Sequence, residues 1–232
     1  MATSSDRLIA DYLCSPEESK RRCAVQDMGD CGDHAVVEYA LLALADPSPA
    51  VCEAALDSLE RIGGETVVQA ALPALRSEDV PLRNAVSLLL SQLGEPAVAD
   101  LAALTADDDK DVQLFAIDTL ARIGSRSAEA SLIPVLKDPD VNVAAAAAAA
   151  LGDVGTNSAV VPLIDALTSD SWIRCAVAKS LGQIGGLDAM RTLVGLLQDE
   201  DGLVAYAAAQ AFAKGGDGHN SRHGTLGEDT LS

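Results

Sequence analysis

The stretch that decides the fold runs from Asp138 to Gly155 and reads DPDVNVAAAAAAALGDVG. A turn that contains aspartate leads into an aliphatic residue, a helix of small residues follows, and a glycine ends it. This outline recurs along almost the whole chain, and its final glycines are Gly32, Gly63, Gly94, Gly124, Gly155, Gly185 and Gly216. Their successive spacings are 31, 31, 30, 31, 30 and 31 residues. Such a regular period indicates stacked copies of one structural repeat.

Each repeat is predicted to consist of a first helix (helix A), a short turn and a second helix (helix B). We number helix B from the aliphatic residue that opens it, which is position 0. Apolar residues fall at positions 0, 3, 4, 8 and 11, which is the spacing of one helical face. In the fourth repeat they are Val112, Phe115, Ala116, Leu120 and Ile123. The spacing persists while other residues change, so it predicts a packed core.

Three segments are expected: a flexible N-terminus over 1–4, the repeat array over 5–216 and a disordered tail over 217–232. The tail has too little apolar content to pack, and its alternative role is that of a tether. Between helices A and B lie four aspartates that we expect to cap the following helix: Asp46, Asp107, Asp138 and Asp199.

The composition restricts the function classes. The formal net charge of −19 and the pI near 4.3 disfavour binding to nucleic acid or to anionic membranes. No apolar run reaches the roughly 18 residues of a membrane helix, so a cytoplasmic protein is expected. The five cysteines show no paired framework and are interpreted as reduced thiols.

Three stretches carry a resemblance to a known family: VNVAAAAAAALGDVG, WIRCAVAKSLGQIG and VCEAALDSLERIG. They resemble the short HEAT-like repeats of phycobilin lyase subunits and of prokaryotic scaffold proteins, and the resemblance spans about residues 5–216. It implies an all-α fold, a right-handed superhelix of about seven helical hairpins with B helices lining its concave face. The family mostly serves as a platform for proteins, and one branch attaches or removes a bilin at a cysteine of a light-harvesting protein.

The family commonly has arginine at position 1 of helix B, directly after the aliphatic residue. From the second repeat on, this column reads Cys52, Arg83, Gln113, Ala144, Arg174 and Ala205. A ladder of aspartate–arginine pairs between repeats is therefore predicted to be incomplete.

A candidate binding surface follows from the positions of helix B outside the buried set. Position 2 holds Glu53, Asn84, Leu114, Ala145, Cys175 and Tyr206, and position 5 holds Leu56, Ser87, Ile117, Ala148, Ala178 and Ala209. Only one of these twelve residues is charged. Such a stripe indicates a docking groove, and the alternative is that helix B lies deeper and these residues belong to the core.

Cations beside this stripe include Arg61, Arg83, Arg122 and Arg174, which suit carboxylates of a partner or of a tetrapyrrole; the alternative is that each is solvated or paired locally. Trp172 is a candidate anchor or a residue packed between repeats. The predicted partner-binding set is Leu56, Arg83, Leu114, Ile117, Ala145, Ala148, Trp172, Arg174, Cys175 and Tyr206.

Residues with catalytic or metal-binding potential were considered and set aside. Cys14, Cys23, Cys31 and His34 lie close in sequence but lack the close cysteine pairs of a zinc site, and the thiols are predicted to behave as small core residues. No nucleophile motif, phosphate loop or dinucleotide fingerprint occurs. No catalytic, cofactor-binding or metal-binding residue is therefore assigned.

The leading functional hypothesis is a non-enzymatic scaffold or adaptor that holds a protein partner along the B-helix face. Two alternatives stay open: a bilin lyase subunit or tetrapyrrole chaperone, and a regulatory module of a signalling complex. The sequence leaves the oligomeric state and the identity of the partner open.

Overall fold

A computed structural model describes residues 3–31, 33–167 and 170–218, with side chains placed up to Lys214. The glycine at 32 and residues 219–232 of the expected tail lie outside the described residues. Within the described ranges all regular structure is helical, which confirms the all-α prediction. The α-helices are α1 (Ser4–Cys14), α2 (Glu18–Asp30), α3 (Val37–Leu42), α4 (Pro49–Ile62), α5 (Gly64–Ala71), α6 (Val80–Leu93), α7 (Glu95–Leu104), α8 (Lys110–Ile123), α9 (Glu129–Val135), α10 (Val141–Val154), α11 (Asn157–Asp165), α12 (Ser171–Ile184), α13 (Leu187–Leu196) and α14 (Gly202–Gly218).

The even-numbered helices are the B helices of the predicted repeats, and the odd-numbered ones, some extended by 3₁₀ turns, are the A helices. The chain divides into two compact units, Met1–Leu104 and Thr105–Ser232. In the first unit α2 packs on α4 and α4 on α6. In the second unit α8, α10, α12 and α14 pack against one another in chain order. Within each unit, therefore, successive B helices are neighbours.

The predicted apolar face of helix B forms the core. In α8, Val112, Ala116 and Leu120 are buried, while Phe115 and Ile123 are half-buried. The helix ends at Gly124, whose φ of 70° lies in the left-handed region that glycine adopts without a steric penalty. The periodicity thus identified both the buried face and the end of the helix.

The turn aspartates do not cap helix B directly, so that prediction is wrong in detail. Asp138 accepts a hydrogen bond from the backbone N–H of Asp140 at 2.8 Å, and Asp140 is the residue that caps α10, accepting from Asn142 N–H at 2.9 Å. The same pair of turns occurs before α14, where Asp199 accepts from Asp201 and Asp201 caps the helix. One aspartate shapes the turn and the second satisfies the exposed N–H groups of the helix.

A carboxylate also joins two repeats on the A side of the second unit. Glu129 at the start of α9 accepts hydrogen bonds from the backbone N–H of Thr156, at 2.7 Å, and from the Ser158 hydroxyl. Burial raises the pKa of Glu129, but these hydrogen bonds outweigh burial and lower the pKa below its usual range. The buried charge is therefore satisfied by the N-terminus of the next A helix, α11.

Glycines at position 9 of helix B let neighbouring B helices approach closely. A Cβ atom added at Gly182 of α12 would lie 2.6 Å from Cβ and 2.8 Å from Cα of Ala211 in α14. At Gly152 of α10 it would lie 2.9 Å from Oγ of Ser180 in α12. Since Ser180 and Ala211 both occupy position 7, we call this position-9 to position-7 contact the glycine seam. Gly29 of α2 and Ser58 of α4 form the same contact in the first unit.

Serine hydroxyls form hydrogen bonds across the glycine seam. Ser58 donates a hydrogen bond to the carbonyl oxygen of Val25 at 2.8 Å, and Ser180 donates to the carbonyl oxygen of Ala148 at 2.6 Å. Both serines are fully buried. A buried hydroxyl is costly unless it is hydrogen-bonded, so these bonds also fix the register of the two helices.

Substituting Gly182→Ala should destabilise the second unit by about 1 to 3 kcal/mol, because the new methyl group would overlap Ala211. Gly195→Ala in α13 is the matched control, since nothing lies within 4 Å of its added Cβ. In a helix that change should leave stability unchanged or raise it by up to about 1 kcal/mol. Urea unfolding followed by far-ultraviolet circular dichroism measures both. If both substitutions changed the free energy of unfolding equally, the close helix contact at the glycine seam would be contradicted.

Candidate functional site

Position 5 of helix B, half of the proposed docking stripe, is buried in four of the six repeats, while Leu56 is half-buried and Ala209 is exposed. Ile117 of α8 is only 1% exposed, and Ala148 of α10 is fully buried, with its carbonyl oxygen bonded to Ser180. Ala145, at position 2, is buried as well. Ile117, Ala145 and Ala148 were therefore wrongly placed on a surface, and the core alternative is correct for them.

Position 6, one residue further along helix B, is exposed in every repeat. Successive helical residues differ in direction by about 100°, so position 6 faces solvent where position 5 faces the neighbouring helix. The exposed residues at position 6 are Gln26, Asp57, Leu88, Asp118, Ala149, Lys179 and Gln210. Most are polar or charged, so the exposed B-helix face is not a continuous apolar groove.

Four more of the predicted site residues are half-buried. Leu56 and Arg83 belong to the first unit, and Leu114 and Cys175 to the second. Burial raises the pKa of the Cys175 thiol, and the nearby carboxylate of Asp201 raises it further. The Cys175 thiol is therefore held in its protonated, less nucleophilic form.

Arg174 is committed to a structural ion pair. Its Nε atom donates a hydrogen bond to Oδ2 of Asp199 and its Nη2 atom donates one to Oδ1, each at 3.0 Å. The hydrogen bonds from Arg174 hold the pKa of Asp199 below its usual range. Both side chains are almost fully buried. The predicted role in orienting a partner does not fit this geometry, and the locally paired alternative does.

A second arginine–aspartate pair of this kind occurs in the first repeat, which the position-1 column given above does not include. Arg21 lies at position 1 of α2, and its Nε and Nη2 atoms each donate a 2.9 Å hydrogen bond to Asp46. In both cases the arginine of one repeat binds the turn aspartate of the next. Lys110 makes a related contact to Asp138, at 3.4 Å.

Two further arginines that the sequence analysis placed beside the stripe are also paired within the chain. Arg61 donates to the carboxylate of Asp30 and, at 3.0 Å, to the carbonyl oxygen of Gln26. Arg122 lies 3.0 Å from Asp118, one turn earlier on the same helix. Exposed pairs of this kind contribute little to stability, but they satisfy the guanidinium groups locally.

Large apolar side chains are exposed together at the N-terminal ends of α12 and α14. Trp172 is 63% exposed, Leu203 is 72% exposed and Tyr206 is 62% exposed. Trp172 and Leu203 occupy the same place, directly before position 0, on two helices that pack side by side. Tyr206 lies one turn after Leu203 on the same face. We call these three residues the aromatic patch.

The backbone and hydrogen bonds hold the patch in place. Asp170 and Asp201 cap the two helices, accepting from the N–H groups of Trp172 and Leu203 at 2.8 Å each. The side chain of Gln210 donates a 2.6 Å hydrogen bond to the Tyr206 hydroxyl. The caps thus fix where the two helices begin, and with them the backbone positions of Trp172 and Leu203.

Sequence reasoning placed Trp172 and Tyr206 in the candidate site but missed Leu203. The signal was present, since aligning the repeats places Leu203 in the column of Trp172. That column holds Asp111 and Asn142 in earlier repeats of the second unit, so an apolar pair at its end was detectable.

Comparison with protein families supports the repeat pattern. The HEAT repeat family matches residues 6–91 and 98–173, which is more than half of the chain. The chain is a HEAT-repeat protein. Residues 173–199 match the PBS lyase HEAT-like repeat, and no curated protein shows a significant match to this HEAT-repeat protein.

Several solved structures resemble this HEAT-repeat protein over most of its length. An engineered protein is 22% identical, covers 92% of this chain and 68% of its own, and has a TM-score of 0.45. Human deoxyhypusine hydroxylase in complex with glycerol is 17% identical, with 90% and 83% coverage and a TM-score of 0.47. A designed armadillo repeat protein is 16% identical, with 90% and 98% coverage and a TM-score of 0.39.

The cysteines of the HEAT-repeat protein do not all lie where they were predicted. Cys14 and Cys23 are exposed and line a cavity of about 550 Å³ between α1 and α2, so they are not core residues. Cys31 is half-buried.

Among the described residues, no three His, Cys, Asp or Glu side chains are grouped to hold a metal ion, and no helix has the length and apolarity to cross a membrane.

Substituting Arg174→Gln should lower the stability of the second unit in a pH-dependent way. Because Arg174 depresses the pKa of Asp199, the pair stabilises the fold fully above the unfolded-state pKa of about 3.9 and loses this effect as pH falls through the folded-state value. The difference in urea midpoint between wild type and variant should therefore be largest near pH 7 and shrink toward pH 3.

The matched control for this test is Arg191→Gln. Arg191 forms an exposed pair with Asp188 at 3.5 Å on α13, and its loss should change the midpoint little at either pH. A difference for Arg174→Gln that is constant with pH would contradict the role assigned to the ion pair.

Proposed function

We propose that this HEAT-repeat protein is a non-enzymatic scaffold that binds a protein partner through the aromatic patch. The observation that carries the proposal is the joint exposure of Trp172, Leu203 and Tyr206 on two adjacent helix ends. HEAT repeats generally serve as protein-interaction scaffolds, and the patch gives that general role a location. The partner would bind at the N-terminal ends of α12 and α14 and not along every repeat.

The composition of the patch favours a protein partner. Single exposed apolar residues are normal on a protein surface, but here the only tryptophan of the chain lies beside a leucine and a tyrosine. Tryptophan and tyrosine are enriched among the residues that dominate protein–protein binding energy. Fully burying a leucine side chain contributes about 1.5 to 3 kcal/mol, part of which offsets the entropic cost of association.

The proposed contact surface is narrower than the one expected from the sequence. The seam between repeats encloses Ile117, Ala145 and Ala148, and Arg174 is bound to Asp199. Trp172 and Tyr206 are the members of the predicted set that stay well exposed. They are therefore the ones that support partner binding.

The tetrapyrrole alternative has less support. The PBS lyase HEAT-like match is limited to residues 173–199, which include Arg174. Arg174 was one of four arginines considered as partners for a propionate, and its guanidinium already has a carboxylate partner. A regulatory module would use the same patch, so that alternative differs only in the identity of the partner.

Replacing Trp172→Ala or Tyr206→Ala should abolish capture of the physiological partner from a lysate of the native host, as measured by quantitative mass spectrometry. With the purified partner, each change should weaken binding by about 30-fold, which corresponds to about 2 kcal/mol. Both residues are exposed, so the urea midpoint should stay at the wild-type value.

Leu42→Ala is the matched control for partner capture. Leu42 is 53% exposed on α3 of the first unit, outside the patch. If every protein that the wild type captures were captured equally by Leu42→Ala and by both patch variants, the proposed function would be refuted.

A further inference from the structure

We infer that the segment bound at the aromatic patch is cationic, with an aromatic or long aliphatic side chain flanked by lysine or arginine. This inference rests on the proposed function and adds the chemistry of the partner. Three kinds of observation carry it: the charges around the patch, the net charge of the chain and the groups that the patch offers.

The rim of the patch is acidic. Asp170 precedes Trp172, and Glu200 and Asp201 precede Leu203. Arg174 is the nearest cation in sequence, but Asp199 neutralises it through two hydrogen bonds. The positive ends of the two helix dipoles offset this charge only in part.

The lysines of α12 and α14 lie away from the rim. Lys179 is seven residues after Trp172, about 10 Å along the helix, and Lys214 is eleven residues after Leu203, about 16 Å along. The local field at the patch is therefore negative, and it favours a positively charged segment.

The charge of the whole chain acts in the same direction. With a formal net charge of −19, the chain repels acidic partners at long range and attracts cationic ones. A second copy of this chain is disfavoured as the occupant, because the acidic rims of two patches would meet. Electrostatic attraction raises the association rate, and the apolar contacts then determine how long the complex lasts.

The patch itself suits cations and an extended backbone. The exposed indole of Trp172 and the ring of Tyr206 present faces on which a lysine or arginine side chain can bind by a cation–π interaction. The Tyr206 hydroxyl accepts from Gln210, and its own hydrogen can donate to a partner acceptor such as a backbone carbonyl. The patch thus combines apolar, cation-binding and hydrogen-bonding groups.

Trp172 provides the test, because it is the only tryptophan in the chain and its fluorescence reports on the patch. The full chain is titrated at physiological ionic strength with three capped synthetic peptides of equal length. The first combines lysine with leucine and phenylalanine, the second replaces lysine by glutamate, and the third keeps lysine but replaces leucine and phenylalanine by serine. The lysine–apolar peptide should shift the emission of Trp172 to shorter wavelength and bind at least about tenfold more tightly than either of the others.

Two neutralising variants separate local from general attraction. Glu200→Gln removes an exposed charge at the rim, and it should weaken the lysine–apolar peptide by about two- to fivefold and reduce the salt dependence of binding. Glu60→Gln makes the same charge change on the exposed face of α4 in the first unit and should leave binding unchanged. Equal effects of both variants would mean that only the net charge attracts the peptide, which overturns a cationic site at the patch.

The outcomes distinguish this inference from the proposed function. If the glutamate peptide binds as well as the lysine–apolar peptide, or if none of the three shifts the emission, the cationic segment is wrong. In that case loss of native partner capture by Trp172→Ala would still uphold the proposed function. If the lysine–serine peptide binds equally well, charge alone accounts for binding and the apolar contact is refuted.

Discussion

The close approach of neighbouring B helices is the constraint on which the rest of the structure depends. At the glycine seam, the backbone of one helix lies against Ala211 or Ser180 of the next, with no room for a side chain at Gly182 and little at Gly152. Few aromatic residues are needed in a core of this kind, because small side chains let helices pack at short distance. The composition of only 3% aromatic residues follows from this packing.

Hydrogen bonds and ion pairs fix the register of neighbouring B helices, which contacts between small residues alone would not determine. The hydroxyl of Ser180 bonds a backbone carbonyl across the seam, and Arg174 clamps the turn aspartate of the following repeat. A buried arginine and aspartate are costly to desolvate and contribute most when both oxygens are used. The bidentate pair at Arg21 and Asp46 meets the same requirement at the other end of the chain.

The seam also determines which apolar residues remain for binding. In most repeats the position-5 side chain is buried between helices, and the exposed residues at position 6 are mostly polar. Trp172, Leu203 and Tyr206 are therefore distinct from the residues that build the repeats, since the packing of the hairpins does not require large side chains there. The acidic residues around the patch are the basis for the cationic partner segment that we infer.

The sequence by itself determined the period, the helical hairpins, the apolar face at positions 0, 3, 4, 8 and 11, and the family, because all of these follow from local periodicity. It also identified Trp172 and Tyr206 as candidates. Only the tertiary structure decided which way position 5 faces and which carboxylate each arginine binds. Position 5 and position 6 differ by one residue and about 100°, and the identity of the covered one depends on how neighbouring helices are rotated against each other. That rotation is set by contacts such as Gly182 with Ala211, which join residues 29 positions apart and leave no mark in the pattern of a single helix.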